Sequence, residues 1–172
     1  MQYMHENVIK ALSKTSATYL LAGPAYPGYV DTLKQLAGWK QVEYLGIVNH
    51  DRVYEIYSQA TAGVVLLDYT ANVGYHRGTL GVLKLFEYMM AGIPVIATDF
   101  ELWKEIVEGC DCGTCVDPHD IDAIADAITF YVGHPDIAKK QGENGRKAVE
   151  QKYNWGMQEK ALYEVYDHVL TT

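Results

Sequence analysis

Apolar residues along this chain fall into two alternating patterns, stripes that repeat every three or four positions and short unbroken runs of three to five. From Val82 onward, Leu83, Leu85, Phe86, Met89 and Met90 fill a broad stripe at i, i+3, i+4 and i+7 spacing, which predicts a helix. Lys84 and Glu87, three residues apart, share its remaining face. Gly92 supplies a left-handed C-terminal cap and Pro94 prevents continuation. Val95-Ile96-Ala97 then follows as a buried strand that ends at Thr98-Asp99.

The same periodicities predict helices over residues 3–13, 29–36, 52–60, 102–107, 136–153 and 155–170. Asp117-Pro118-His119-Asp120 opens a further helix whose core stripe is Ile121, Ile124, Ala125 and Ile128. Asp51 is the expected N-cap of the 52–60 helix, and Asn154 caps the last one. Strands are expected over residues 18–22, 42–45, 63–67 and 112–116, with a Gly/Pro-rich loop at 23–28 and a long glycine-bearing loop at 68–81. No internal repeat or linker divides the chain. The alternation predicts an α/β fold, a Rossmann-like doubly wound parallel sheet with helices on both faces.

In the usual strand order for such a sheet, 3-2-1-4-5-6, the first strand is central, and the residues before Tyr3 are too few to supply it. Either the strands at 18 and 63 pair across the gap, or another segment or chain fills it. A bare edge would favour self-association.

Composition narrows the functional classes. With 49% hydrophobic residues in 172, the chain can bury an ordinary single core. A formal charge of −8 argues against a nucleic acid or an anionic membrane as principal partner, so any phosphate must be held by a few local donors. No apolar run is long enough for an integral membrane segment, and no secretory leader is evident. The expected location is cytoplasmic, with peripheral membrane contact left open for a full-length enzyme. Cys110, Cys112 and Cys115 lie close together, but there is no second ligand pair. Buried free thiols are the simpler reading, and no metal site is assigned.

The loop at 68–81 leaves a buried strand and feeds a helix N-terminus, which is the geometry of an anion site. Gly78 and Gly81 allow close backbone approach, Leu80 lies between them and the helix, and Thr79 can cap the helix or donate its hydroxyl. Glu87 sits more than a turn beyond the helix start, and a carboxylate beside a phosphate would be repelled. It suits a neutral diol such as a ribose, while Lys84 is nearer the phosphates. The alternative for the pair is an ordinary surface salt bridge. His76 and Arg77 are either solvated or reach phosphate or sugar. Gly46, Ile47 and Val48, with Asn49 and His50, would flank a base at the same sheet edge. Tyr26 and Tyr29 are candidates to stack on it. Trp103 is read as core, and Glu105 as a helix-start carboxylate or a sugar contact. No GxSxG, HExxH or P-loop lysine is present.

These residues resemble the C-terminal, donor-binding half of a GT-B fold glycosyltransferase of retaining family 4, group 1. The resemblance rests on Tyr44-Leu45-Gly46-Ile47-Val48, Lys84 to Asp99, Trp103-Lys104-Glu105-Ile106-Val107 and Gly113-Thr114-Cys115-Val116-Asp117-Pro118. Gly142-Glu143-Asn144-Gly145-Arg146 and Tyr153-Asn154-Trp155 complete it. It implies that Glu87 binds the ribose of a nucleoside-diphosphate sugar and that the preceding loop holds the diphosphate and donor sugar. It further implies that residues 1–172 are the nucleotide-sugar-binding domain of a larger two-domain enzyme, inactive alone. That enzyme would need no cofactor beyond its donor substrate, and a missing N-terminal domain would bind a glycan or lipid-linked acceptor, as in polysaccharide biosynthesis. Two departures stand out. A second glutamate often found eight residues before the first is replaced by Thr79, as in a related subgroup with a KLFEYM-like helix. The family's Arg and Lys near the start of this domain have no counterpart in Met1-Gln2-Tyr3-Met4-His5. A nucleotide-sugar epimerase of the same architecture and a non-catalytic nucleotide-binding or interaction module are the rival readings.

Overall fold

In the computed structural model, which describes residues 3–171, the short apolar runs become parallel strands and the striped segments become the helices that cover them. The chain runs α1 (His5–Leu12), β1 (Tyr19–Ala22), α2 (Tyr29–Lys34), β2 (Val42–Gly46), α3 (His50–Gln59), β3 (Gly63–Val65), α4 (Leu83–Ala91), β4 (Val95–Thr98), α5 (Glu101–Val107), β5 (Gly113–Val116), α6 (Ile121–Gly133), α7 (Pro135–Gln151) and α8 (Trp155–Thr171). Met1 and Gln2, which the sequence placed before the first helix, lie outside the described residues.

Strand alternation sends side chains to two separate cores. Leu66 and Ile96 join Val8, Leu12, Ile124 and Tyr131 on the face covered by α1 and α6. Val65, Leu67, Val95 and Ala97 face the other way, against Leu85, Met89, Trp103 and Val107. Both faces are therefore covered, which is why the strands read as continuous apolar runs. On the second face α4 and α7 approach so closely that a Cβ at Gly142 would lie 1.9 Å from Gly92 O. Gly92 itself adopts φ 75° as the helix stop.

The strands form two parallel groups. β1 pairs with β2, with Tyr19 opposite Val42. β4 lies between β3 and β5, with Ile96 opposite both Val64 and Thr114. Among the described residues β1 and β3 do not pair, so the strands expected at 18 and 63 do not close the sheet directly. A cleft of about 590 Å³ separates them, lined by both strands and by helices from each face. The ring of Tyr88 reaches the edge of this cleft and packs against Gly63, where a Cβ would fall 2.3 Å from Tyr88 Cγ.

Local details differ from the sequence reading at three places. α3 starts at His50, and its cap is Asn49, whose side chain accepts the Arg52 N–H at 2.9 Å, in place of Asp51. Asn49 has the extended backbone a cap requires, whereas Asp51 already lies in the first turn. α1 begins at His5, because Tyr3 bridges Leu67 and the Met4 N–H donates to Leu66 O at 3.0 Å. α4 is preceded by Val82 as its cap residue, so Thr79 does not cap it. The expected caps at Asp120 and Asn154 are present, accepting from Ala123 N–H at 3.0 Å and Met157 N–H at 3.1 Å. α8 leaves Trp155, Tyr166, Val169 and Leu170 exposed. No helix among the described residues is long and apolar enough to cross a membrane.

Candidate functional site

Helix α4 sets the frame of the site. Leu85 and Met89 are fully buried and fix its rotation, which leaves Lys84 and Glu87 on the outward side. No side chain caps its N-terminus, and although the Leu85 N–H donates to Val82 O at 3.3 Å, the Leu83 and Lys84 amides stay open at the positive end of the helix.

The loop leading into α4 is held by its own bonds. Gly78 has φ 80° and ψ 179°, a conformation open essentially to glycine, and a Cβ there would meet Phe100 Cβ at 2.5 Å. The Gly78 N–H donates to Tyr75 O at 3.3 Å, and the Gly81 N–H to Thr79 Oγ1 at 3.2 Å. Trp103, buried as its sequence position suggested, donates its indole N–H to Thr79 O at 2.8 Å. These amides thus have partners within the loop, and the unengaged donors at the start of α4 are the Leu83 and Lys84 N–H groups. Leu80 is half exposed at the loop tip.

Lys84 and Glu87 do not form the surface salt bridge that their spacing allows. Lys84 Nζ lies over the Tyr3 ring, 4.2 Å from its centroid. Glu87 Oε2 instead accepts the Tyr57 hydroxyl at 3.1 Å. Burial and then the Glu87 carboxylate push the Tyr57 phenol well above its ordinary pKa, so it remains a donor. Tyr57 also packs edge-on against Tyr88, at 5.2 Å between centroids. Lys84, Glu87, His50, Tyr54 and Tyr57 line the wall of the cleft together.

The loop after β2 behaves differently. Gly46 ends the strand with φ 63°, and its carbonyl accepts the Gly23 N–H at 2.7 Å, which joins the Gly/Pro-rich loop to this edge. Ile47 is 80% exposed, Val48 is half-buried, and Tyr26 projects into solvent. Tyr29 instead packs against the α1–α6 core.

His76 joins a second polar group that the sequence reading did not assemble. Its ring lies 4.1 Å from that of Tyr69, whose hydroxyl donates to Asp99 Oδ1 at 2.5 Å. Lys104 Nζ donates to Asp99 Oδ2 at 3.2 Å. His119 Nε2 and Asp68 Oδ1 are 2.9 Å apart. Burial alone would raise the Asp99 pKa, but the bonds from Tyr69 and Lys104 outweigh it and hold the carboxyl below its usual range. Arg77 is exposed beside His76. The available sequence signal was an aspartate just past each of three consecutive strands, at Asp68, Asp99 and Asp117.

The three cysteines are free thiols, and burial pushes Cys112 and Cys115 up to about 12. Among the described residues no three His, Cys, Asp or Glu side chains gather as a metal site.

The sequence model of the family described as "Glycosyl transferases group 1" matches residues 2–148. A probable sucrose-phosphate synthase 2 of Oryza sativa subsp. japonica is 36% identical over 117 residues, which is 67% of this chain and 11% of that protein. The solved sucrose-phosphate synthase from Thermosynechococcus elongatus superposes with a TM-score of 0.79 at 24% identity, covering 96% of this chain and 42% of that one. The C-terminal domain of a group 1 family glycosyl transferase from Francisella tularensis superposes at 0.68 and 23% identity, covering 88% of this chain and 80% of that domain. These two structures share its GT-B half-fold. The chain spans about one ninth of the rice relative.

Proposed function

The chain belongs to the glycosyl transferases group 1 family, and from that premise we propose that it is the donor-binding domain of an enzyme that transfers a sugar from a nucleoside diphosphate. The observation that carries the reading is the arrangement along α4: an uncapped N-terminus, then Lys84, then Glu87 on one outward side. Charges suited to a diphosphate come first and a carboxylate suited to a neutral diol follows, in the order phosphate and ribose take in a nucleotide.

In this reading the Glu87 carboxylate accepts from the ribose hydroxyls. The first-turn amides of α4 and Lys84 take the diphosphate, which becomes the leaving group when the sugar departs. The loop from Gly78 to Gly81 borders the donor sugar, with Thr79 where a second glutamate is often found. Gly46, Ile47 and Val48 flank the base at the end of β2. Retention of anomeric configuration, independence of metal and a glycan or lipid-linked acceptor carry over from the family resemblance. The acceptor is held by a second domain.

Calorimetric titration of UDP, GDP, ADP and CMP into wild type and Glu87→Ala tests this. Selective binding of one diphosphate that weakens about tenfold or more in the variant is the expected result. Equal binding in both proteins would remove Glu87 from the site.

A further inference from the structure

We infer that Tyr69 is a positioning residue for the donor site. It clamps the loop that enters α4 onto the segment after β4, and so sets where that loop and the Leu83 and Lys84 amides stand. The role in binding rests on the nucleotide reading, whereas the clamp is a property of the fold without ligand.

Residues 68–81 lead from just beyond β3 to α4, with two short turns of 3₁₀ helix at Ala71–Val73 and Tyr75–Arg77. A connection of this length holds one shape only if it is tied down. Its ties run to residues 99–103. The Tyr69 hydroxyl donates to Asp99 Oδ1 at 2.5 Å. Gly78 lies so close to Phe100 that a Cβ would not fit between them. Thr79 O accepts the Trp103 indole N–H at 2.8 Å. Phe100 and Trp103 are fully buried and meet edge-on at 4.9 Å between centroids, which makes them a firm anchor.

Tyr69 differs from Gly78 and Thr79 because it acts at the start of the loop and also reaches its middle. Its ring lies 4.1 Å from that of His76 and edge-on to Phe100 at 5.8 Å. The acceptor is itself held from two sides. Lys104 Nζ donates to Asp99 Oδ2 at 3.2 Å, and the Asp99 N–H donates to Val116 O at 3.0 Å. Burial, then the bond to Asp99 and the charges of Asp99 and Asp117, push the Tyr69 phenol well above its ordinary pKa. Asp99, despite its burial, is held below its own by Tyr69 and Lys104. The proton therefore stays on Tyr69 and the charge on Asp99, the arrangement of a charge-assisted hydrogen bond. Phenylalanine at this position would keep the ring contacts and lose that bond alone.

The consequence falls on one half of the ligand. Donors fixed before the diphosphate arrives bind it without an ordering cost, and donors on a slack loop do not. The loop ends at the α4 N-terminus, so its slack reaches the Leu83 and Lys84 amides. Glu87 is placed instead by the buried Leu85 and Met89, and β2 belongs to the other strand group. The nucleoside half should therefore be indifferent to Tyr69.

Tyr69→Phe in the 172-residue chain tests the clamp by two measurements. Without nucleotide, amide hydrogen exchange should be at least about fivefold faster at Gly78 and Gly81 and unchanged at Ala97 in β4. By calorimetry the preferred nucleoside diphosphate should bind about five- to tenfold more weakly, and its nucleoside as in wild type. Equal exchange at Gly78 and Gly81 in the two proteins would overturn the inference. So would faster exchange of the same size at Ala97, the mark of a general loosening, or an equal loss for nucleoside and diphosphate. If exchange responds as expected and wild type binds no nucleoside diphosphate, the donor-site reading fails and the clamp is supported.

Discussion

The Tyr57 hydroxyl donates to Glu87 Oε2 at 3.1 Å and so ties α3 to the carboxylate of α4. The bond orients a charge that would otherwise sit on a freely rotating exposed side chain. Tyr57→Phe should leave the fold intact and weaken binding of the preferred nucleoside diphosphate about three- to tenfold, the scale of one ordinary hydrogen bond lost from the support of the carboxylate. Calorimetry of the variant measures this. Tighter binding in Tyr57→Phe would mean that the phenol competes with the ribose for the carboxylate.

Gly78 carries a different kind of constraint. Its backbone lies in the glycine-only region, and Phe100 Cβ would sit 2.5 Å from an added Cβ. Gly78→Ala should therefore cost about 3 kcal/mol, combining backbone strain with overpacking against a buried ring. Gly133→Ala is the control, since nothing lies within 4 Å of a Cβ there. It should be neutral or mildly stabilising. Urea unfolding of both variants provides the comparison, and equal midpoints would contradict the assignment of strain to Gly78.

Stability should also depend on pH through His5. Burial, and secondarily the Lys84 charge, bring its pKa down from 6.5 to about 4. Between these values the unfolded chain binds a proton that the folded chain does not. Stability is then complete above about 6.5 and falls as pH drops toward 4. His5→Gln should flatten that part of the curve. Melting temperatures of the two proteins between pH 4.5 and 7 measure it, and parallel curves would rule out His5 as the source.

Much of this architecture was legible in the chain because it depends on periodicity. The α4 core positions Leu85 and Met89, the Gly92 stop and the buried run at β4 each follow from local rules that tertiary contacts reinforce, whereas Leu83 and Met90, read into the same stripe, stay exposed because no element covers that side of α4's ends. The partners of polar side chains were not legible, because they depend on elements far apart in sequence. Spacing alone offered Lys84 and Glu87 as a pair. In the fold Lys84 meets Tyr3, brought in by the bridge to Leu67, and Glu87 meets Tyr57 across from α3. Asp99, Tyr69 and Lys104 converge for the same reason: parallel strands gather their C-terminal ends at one edge, whatever their distance along the chain. Asn49 replaced Asp51 as a cap because both residue types suit the position, and only the backbone angle distinguishes them.

The central claim is that Glu87 accepts from the ribose diol of a nucleoside diphosphate. Titration of the preferred nucleoside diphosphate and its 2′,3′-dideoxy analogue into wild type and Glu87→Ala tests it most directly. The account predicts that losing the hydroxyls weakens binding to wild type about tenfold or more and changes binding to the variant little, because the two deletions remove the same contact. An equal loss in both proteins would show that the carboxylate does not touch the diol, and the assignment of α4 as the ribose-binding helix would fall.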